Sequence, residues 1–206
     1  MAIISVEKAI LAVKRGEPII IFDSQGRENE GDVMIAAQAA TPEKLNFCIQ
    51  EAKGLMCVPL SRKRCEEMEI PLMVSKNTDH FHTPFTVSVD ARKGTTTGMS
   101  VADRMETLRV LLADSSTPSD LNRPGHLFPL MAHPDGVLGR EGHTEAAVDL
   151  CRLAGLKEIA VIAEVMSPDG SMARLSELLS FAHKHGLVTV SVDDLVRHRK
   201  QAGQQA

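Results

Sequence analysis

Apolar positions along the chain switch repeatedly between the helical and the strand period. Val6, Ala9, Ile10 and Val13 return at helical spacing, behind Ser5 as a cap and ahead of Gly16, which predicts a helix. Pro18 breaks that pattern, and Ile19-Ile20-Ile21-Phe22 reads as a buried strand, followed by a second strand over Val33 to Ala37. Thr41-Pro42 supplies a cap and a first-turn proline for a helix that carries Leu45, Ile49 and Ala52 inward and stops at Gly54. Leu55 to Leu60 is the next strand, and residues 70–83 form a surface loop. Phe85, Val87 and Val89 alternate with Thr86, Ser88 and Asp90, the pattern of a half-buried strand. Ser100, with Asp103 three residues on, starts a helix whose apolar face is Leu108, Leu111 and Leu112. Ser115 to Arg123 is polar and broken by proline, hence loop. A helix from about Thr144 to Leu153, a strand over Ile159 to Ile162, a turn at Ser167-Pro168-Asp169-Gly170 and a helix carrying Leu178, Leu179 and Ala182 follow. Leu187, Val188, Val190 and Val192 make a late strand before a terminal helix.

This order, without repeat or dividing linker, predicts one α/β (α+β) domain over residues 1–206, a mixed β-sheet layered between α-helices. Composition narrows the function. With 206 residues, 43% of them hydrophobic, a sizeable single core can form. A net charge of -4, with no Trp, no Tyr and six Phe, lacks both the basic face and the stacking surface of a nucleic-acid binder. The first residues, Met1 to Lys8, carry neither a basic segment nor a long apolar stretch, and no apolar run approaches the ~20 residues of a membrane helix. Cys48, Cys57, Cys65 and Cys151 form no C-x-x-C pair, so reduced thiols and a cytoplasmic location are expected, with Cys57 inert inside its strand.

Candidate chemistry lies in four polar clusters, each expected at an element end or in a loop. Arg27-Glu28-Asn29-Glu30-Gly31-Asp32 combines carboxylates and a guanidinium suited to a metal or a phosphate, or is a charged turn. Gly94-Thr95-Thr96-Thr97-Gly98, before the Ser100 helix, offers small donors to an anion, or is a Thr-rich turn. Arg123-Pro124-Gly125-His126 precedes an apolar run that can tune an imidazole for acid–base work, unless the histidine is simply satisfied in the core. Arg140-Glu141-Gly142-His143-Thr144-Glu145 joins a guanidinium, an imidazole and a helix start, which together suit phosphate and a divalent ion; a capped helix with surface charges is the alternative. Glu164 ends an apolar strand, where ligands gather in α/β sheets.

These clusters, together with Gly54 to Leu60, Phe85 to Asp90 and Asp103-Arg104, closely resemble in kind and order the 3,4-dihydroxy-2-butanone-4-phosphate synthase family, over residues 5–199. The resemblance implies a homodimeric lyase of riboflavin biosynthesis that turns ribulose 5-phosphate into formate and 3,4-dihydroxy-2-butanone 4-phosphate with Mg2+, or Mn2+, as cofactor. It further implies that Glu28 and His143 hold the metal. Arg27, Glu28, Asp32, Thr97, Arg140, Glu141, Gly142, His143, Thr144 and Glu164 match substrate-binding positions, and His126, Glu164 and Asp32 the catalytic ones. Two departures stand out: Asp23-Ser24-Gln25-Gly26 replaces an acidic run, which implies weaker closure, and Ala163 stands where a cysteine is common. A metal-assisted pentose-phosphate isomerase or aldolase, and a catalytically silent sugar-phosphate binder, are the competing readings.

Overall fold

The structure, a computed structural model, describes residues 5–203; the first four residues of the amino-terminal stretch lie outside them. Seven strands form one mixed sheet: β1 (Ile19–Phe22), β2 (Gly31–Ala36), β3 (Cys57–Leu60), β4 (Val89–Ala91), β5 (Leu121–Met131), β6 (Ala160–Glu164) and β7 (Val188–Ser191). Their order is β4-β5-β3-β6-β2-β1-β7, with β1–β7 and β3–β5 parallel and the other pairs antiparallel. Both faces are covered, which is why β1, β2 and β3 read as apolar runs and not as alternations. One face packs under α1 (Val6–Lys14), α5 (His143–Leu153) and α7 (Val192–Gly203), through Ile19, Ile21, Met34, Cys57 and Ile162. The other face packs under α2 (Pro42–Phe47), α3 (Arg62–Glu67), α4 (Val101–Leu112) and α6 (Leu175–His185), through Ile20, Val33, Ile35, Val58 and Val161. A mixed sheet layered between helices is therefore the architecture.

Several expectations are corrected in detail. Thr41 caps α2 through Lys44 N, but the helix continues as a π turn over Cys48–Ala52 and ends at Lys53 in the left-handed region (φ 73). The wider turn brings Cys48 and Ala52 inward and leaves Ile49 exposed. Helix α3 was not expected: its residues are charged and only Cys65 is buried, so the Ser61 cap on Arg64 N was its one local signal. Regular pairing of the Phe85 segment is confined to β4; Val89 is buried as expected, but Thr86 and Ser88 are buried too, while Phe85 and Val87 are half-buried against the core. The cause is Pro129, whose carbonyl accepts both the Thr86 N–H (3.1 Å) and its hydroxyl (2.8 Å). Leu121 to Arg123, expected as the end of a loop, instead begin β5, which runs on through His126; Pro124 and Pro129 fit there because β4 pairs only with Leu121, Asn122 and Leu127. The last strand stops at Ser191, whose hydroxyl accepts the Asp194 N–H at 3.0 Å and so starts α7 at Val192.

Candidate active site

Asp32 and Glu164 are register partners across the β2–β6 ladder, so their side chains leave the same face of the sheet. That face is covered by α5, whose first residues, His143 and Thr144, are buried against the same spot. The loop from β1 to β2 is folded back over it by Asp23. Its carboxylate accepts the N–H groups of Glu28 (3.1 Å) and Glu30 (2.9 Å) and pairs with Arg27 at 2.8 Å. The turn closes with Asn29 at φ 56, a backbone angle that asparagine tolerates better than most residues. Glu28 consequently faces His143 Nδ1 at 3.6 Å and pairs with Arg27 at 2.6 Å.

Together these elements enclose a cavity of about 210 Å³. Of the residues expected in the site, Arg27, Glu28, Asp32, Arg140, His143, Thr144 and Glu164 line it. Arg140 is fixed by Glu145 (2.7 Å), which is wholly buried, and by the carbonyl of Phe81 (3.1 Å), while the Arg27 guanidinium lies 5.5 Å from the Phe81 ring centre.

Three buried polar atoms at this place have no hydrogen-bond partner: Asp32 Oδ1, His143 Nε2 and Glu164 Oε2. Buried polar atoms are normally satisfied, so three orphans around one cavity mark a place built for a ligand. Burial, foremost, pushes the Asp32 carboxyl up to about 7, against the pull of His143 and with help from Glu164. Burial likewise raises Glu164, and raises Glu30 with Glu28 adding to it. For His143 burial acts the other way but is overcome by Asp32, Glu28 and Asp23, which push the imidazole up to about 9. Glu28 resists its own burial because His143 and Arg27 lower it. The site thus holds an excess of carboxylate charge that asks for a cation.

Asp23, Glu28 and His143 each offer one ligand atom within 4.8 Å of the others. Oxygen and imidazole donors of this kind, with unpartnered atoms beside them, fit a hard divalent ion.

Other expected residues lie elsewhere. His126 is not among the residues lining the cavity; its ring is half-exposed and meets Asp90 Oδ2 at 2.7 Å. Leu127 pairs with Val89 while Asn122 pairs with the next residue, Asp90, so Arg123 to His126 bulge out of the ladder, and the pairing with β3 begins only at Phe128. Thr97 is exposed and outside the lining. Its loop is wrapped around Asp103, which accepts Thr96 N (2.9 Å), the Thr96 hydroxyl (2.8 Å) and Gly98 N (3.1 Å). Those bonds, from the Thr96 backbone first, hold Asp103 down to about 2. Within one chain these loop donors are thus spent on an internal carboxylate. Glu141 is exposed and Gly142 is the N-cap of α5, both outside the lining. Ser24 to Gly26 is an exposed turn, and of that segment only Asp23 reaches the cluster.

Sequence reasoning missed Asp23 as a ligand candidate, and it missed Cys57, Phe81, Thr83, Phe85, Leu130 and Ile162 in the lining. Glu30, one of the three carboxylates of the first cluster, is in the lining although it was given no role of its own. Phe81 and Thr83 belong to a loop whose return to the site nothing local announces.

A three-layer α/β fold that gathers carboxylates, one buried histidine and two guanidinium groups around a small cavity defines a metal-dependent enzyme for a small anionic substrate. Residues 7–198 match the family model of 3,4-dihydroxy-2-butanone 4-phosphate synthase. The chain is 52% identical over 200 residues to that synthase from Agrobacterium fabrum, covering 97% of this chain and 94% of the relative. It is 47% identical over 195 residues to the one from Hamiltonella defensa, covering 95% and 89%. Among solved structures it resembles RibBX, a two-domain 3,4-dihydroxy-2-butanone 4-phosphate synthase from A. baumannii, with a TM-score of 0.92 at 45% identity over 95% of this chain and 58% of that one. It is also similar to a 3,4-dihydroxy-2-butanone 4-phosphate synthase in complex with two magnesium ions, with a TM-score of 0.91 at 40% identity over 96% and 97% of the two chains. The chain belongs to the 3,4-dihydroxy-2-butanone 4-phosphate synthase family.

Proposed function

We propose that this chain converts ribulose 5-phosphate to formate and 3,4-dihydroxy-2-butanone 4-phosphate for riboflavin biosynthesis. The observation that carries the reading is the set of unpartnered atoms of Asp32, His143 and Glu164 around one cavity, beside the Asp23, Glu28 and His143 cluster. Glu28 and His143 would hold magnesium or manganese, which when bound would supply positive charge where the reaction builds negative charge on oxygen.

The chain's own groups do the rest. Arg140, already fixed by Glu145, and the amino end of α5 at Thr144 bind the phosphate, so that binding energy orients the reacting carbons. Arg27 sits where it can reach a substrate oxygen beside Glu28. Asp32, whose carboxyl burial lifts to about 7, and Glu164, raised by burial, are suited to take and return the hydroxyl protons of the substrate during the rearrangement and the loss of formate. Phe85, Leu130 and Ile162 line the cavity with apolar surface and limit water.

His126 acts from a second copy in a homodimer. Its half-exposed ring, and the exposed Leu55 and Met99 near the same end of the sheet, support that assembly. The location is the cytoplasm: all four cysteines are free and buried, and no described helix is long and apolar enough to cross a membrane.

Product analysis tests the function. Purified protein given ribulose 5-phosphate releases formate and a four-carbon phosphate in equal amounts. A pentose or a triose product without formate points to an isomerase or aldolase. Substrate binding without turnover identifies a silent relative and traces to the neutral Ser24 to Gly26 turn.

A further inference from the structure

We propose that Asp90 is the positioning residue of His126, accepting its Nδ1–H so that Nε2 is left as the nitrogen that accepts a proton from substrate. This rests on the catalytic reading of His126 and goes beyond it. Asp90 is 7% exposed, whereas the side chain of His126 is 46% exposed. A buried carboxylate thus spends both oxygens on one outward-facing histidine: Oδ1 accepts the His126 backbone N–H at 2.9 Å and Oδ2 meets Nδ1 at 2.7 Å.

The surroundings are shaped for that contact. The β4–β5 register shifts between Val89 and Asp90, an irregularity that re-aims one side chain. A Cβ on Gly98, whose φ is +92, would overlap the Asp90 carboxylate, and one on Gly125 would overlap the Val89–Asp90 backbone. The Gly125 N–H is held at 3.1 Å by Ser88 Oγ, which sets the turn into His126.

Arg104 of α4 is the charged group that faces Asp90. Its N–H groups meet the sulfurs of Met56 (3.6 Å) and Met99 (3.1 Å), so it adds charge without drawing the carboxylate's hydrogen bonds away from the histidine. Asp103 is engaged by Thr96 and Gly98 and does not compete for the ring.

In the step this serves, the Nε2 lone pair takes a proton from the substrate, whose bonding pair stays on the substrate as enediolate. The imidazolium keeps its Nδ1–H on Asp90 Oδ2, and Nε2 later returns the proton to a departing hydroxyl, which leaves as water.

Asp90→Asn separates positioning from structure. The amide keeps the shape and its oxygen still accepts the His126 backbone N–H, but its NH2 now donates to Nδ1 and forces the other tautomer. The expected result is a fall in kcat of about 100-fold or more, KM for ribulose 5-phosphate within about 3-fold of the parent, and exchange of the two ring-nitrogen signals in the ¹⁵N NMR spectrum of neutral His126. His126→Gln is measured in parallel; full activity there overturns the catalytic reading of His126 itself. Loss of activity in His126→Gln with parental kcat in Asp90→Asn overturns the Asp90 proposal alone. If the Asp90→Asn variant does not fold, the unsubstituted protein decides: a proton on Nδ1 of neutral His126 supports the proposal, and a proton on Nε2 overturns it.

Discussion

Replacing Asp32 by Asn should stabilise the metal-free protein while abolishing turnover. Asp32 is 3% exposed, its Oδ1 has no partner, and burial lifts its carboxyl from 3.8 to about 7. Because the folded value lies above the unfolded one, the contribution is most favourable below both and is lost as pH rises through about 7. At ~1.4 kcal/mol per tenfold change, ionising this group in the fold costs roughly 4 kcal/mol once both values are passed. Asparagine keeps the shape and never ionises.

Part of that gain is returned, because His143 loses the attraction that does most to raise it; it keeps Glu28 at 3.6 Å, and Asp23, so it is not stranded. A net gain of roughly 2 kcal/mol at pH 8 is expected, which in a chain this size raises Tm by about 4–8 °C. Thermal unfolding in EDTA at pH 8 and pH 5 measures it: the advantage of Asp32→Asn should be clear at pH 8 and shrink toward pH 5, and kcat should fall by about 100-fold or more. A variant no more stable than the parent at pH 8 would refute the claim that burial of this carboxyl strains the fold in favour of the site.

Gly54→Ala should lower kcat by at least about 10-fold, because the added methyl would overlap the carbonyl and carboxylate of Glu164 and push that side chain off its place; steady-state kinetics with an unchanged kcat contradict it. Arg140→Lys should raise KM for ribulose 5-phosphate by about 10-fold, since an ammonium cannot hold Glu145 and the Phe81 carbonyl and still meet a phosphate; an unaltered KM contradicts it. Burial pushes the thiols of Cys48, Cys65 and Cys151 up to about 12 and that of Cys57 up further. A disulfide reagent at pH 8 should therefore modify none of the four quickly in the folded protein and all of them after denaturation; a fast-reacting thiol contradicts that burial.

The legible parts of the fold were those carried by local pattern. The apolar run of β1, the Thr41-Pro42 start of α2, the Ser100 cap of α4 and the extent of α5 all follow from periodicity and capping. The long strand β5 did not, because two prolines and a glycine disguise it and its tolerance for them depends on where β4 pairs. The inward turn of Thr86 was hidden for a related reason: its partner is a proline carbonyl far along the chain.

Within the site, Glu28 and His143 were nameable from motif resemblance, yet only the fold brings them within reach of each other. The Asp32–Glu164 pairing is a matter of strand register, which no single segment encodes. Asp23 was read as the remnant of an acidic run, while its position inside the loop makes it both the brace for Glu28 and a candidate ligand.

The most direct test of the metal site is formate release from ribulose 5-phosphate, titrated with magnesium, by the unsubstituted protein beside folded His143→Ala. The expected result is saturable, magnesium-dependent formate from the former and none from the latter at any magnesium concentration. Formate release that needs no divalent ion, or an unaltered magnesium dependence in His143→Ala, would contradict the assignment of Glu28 and His143 as the metal-holding heart of the site.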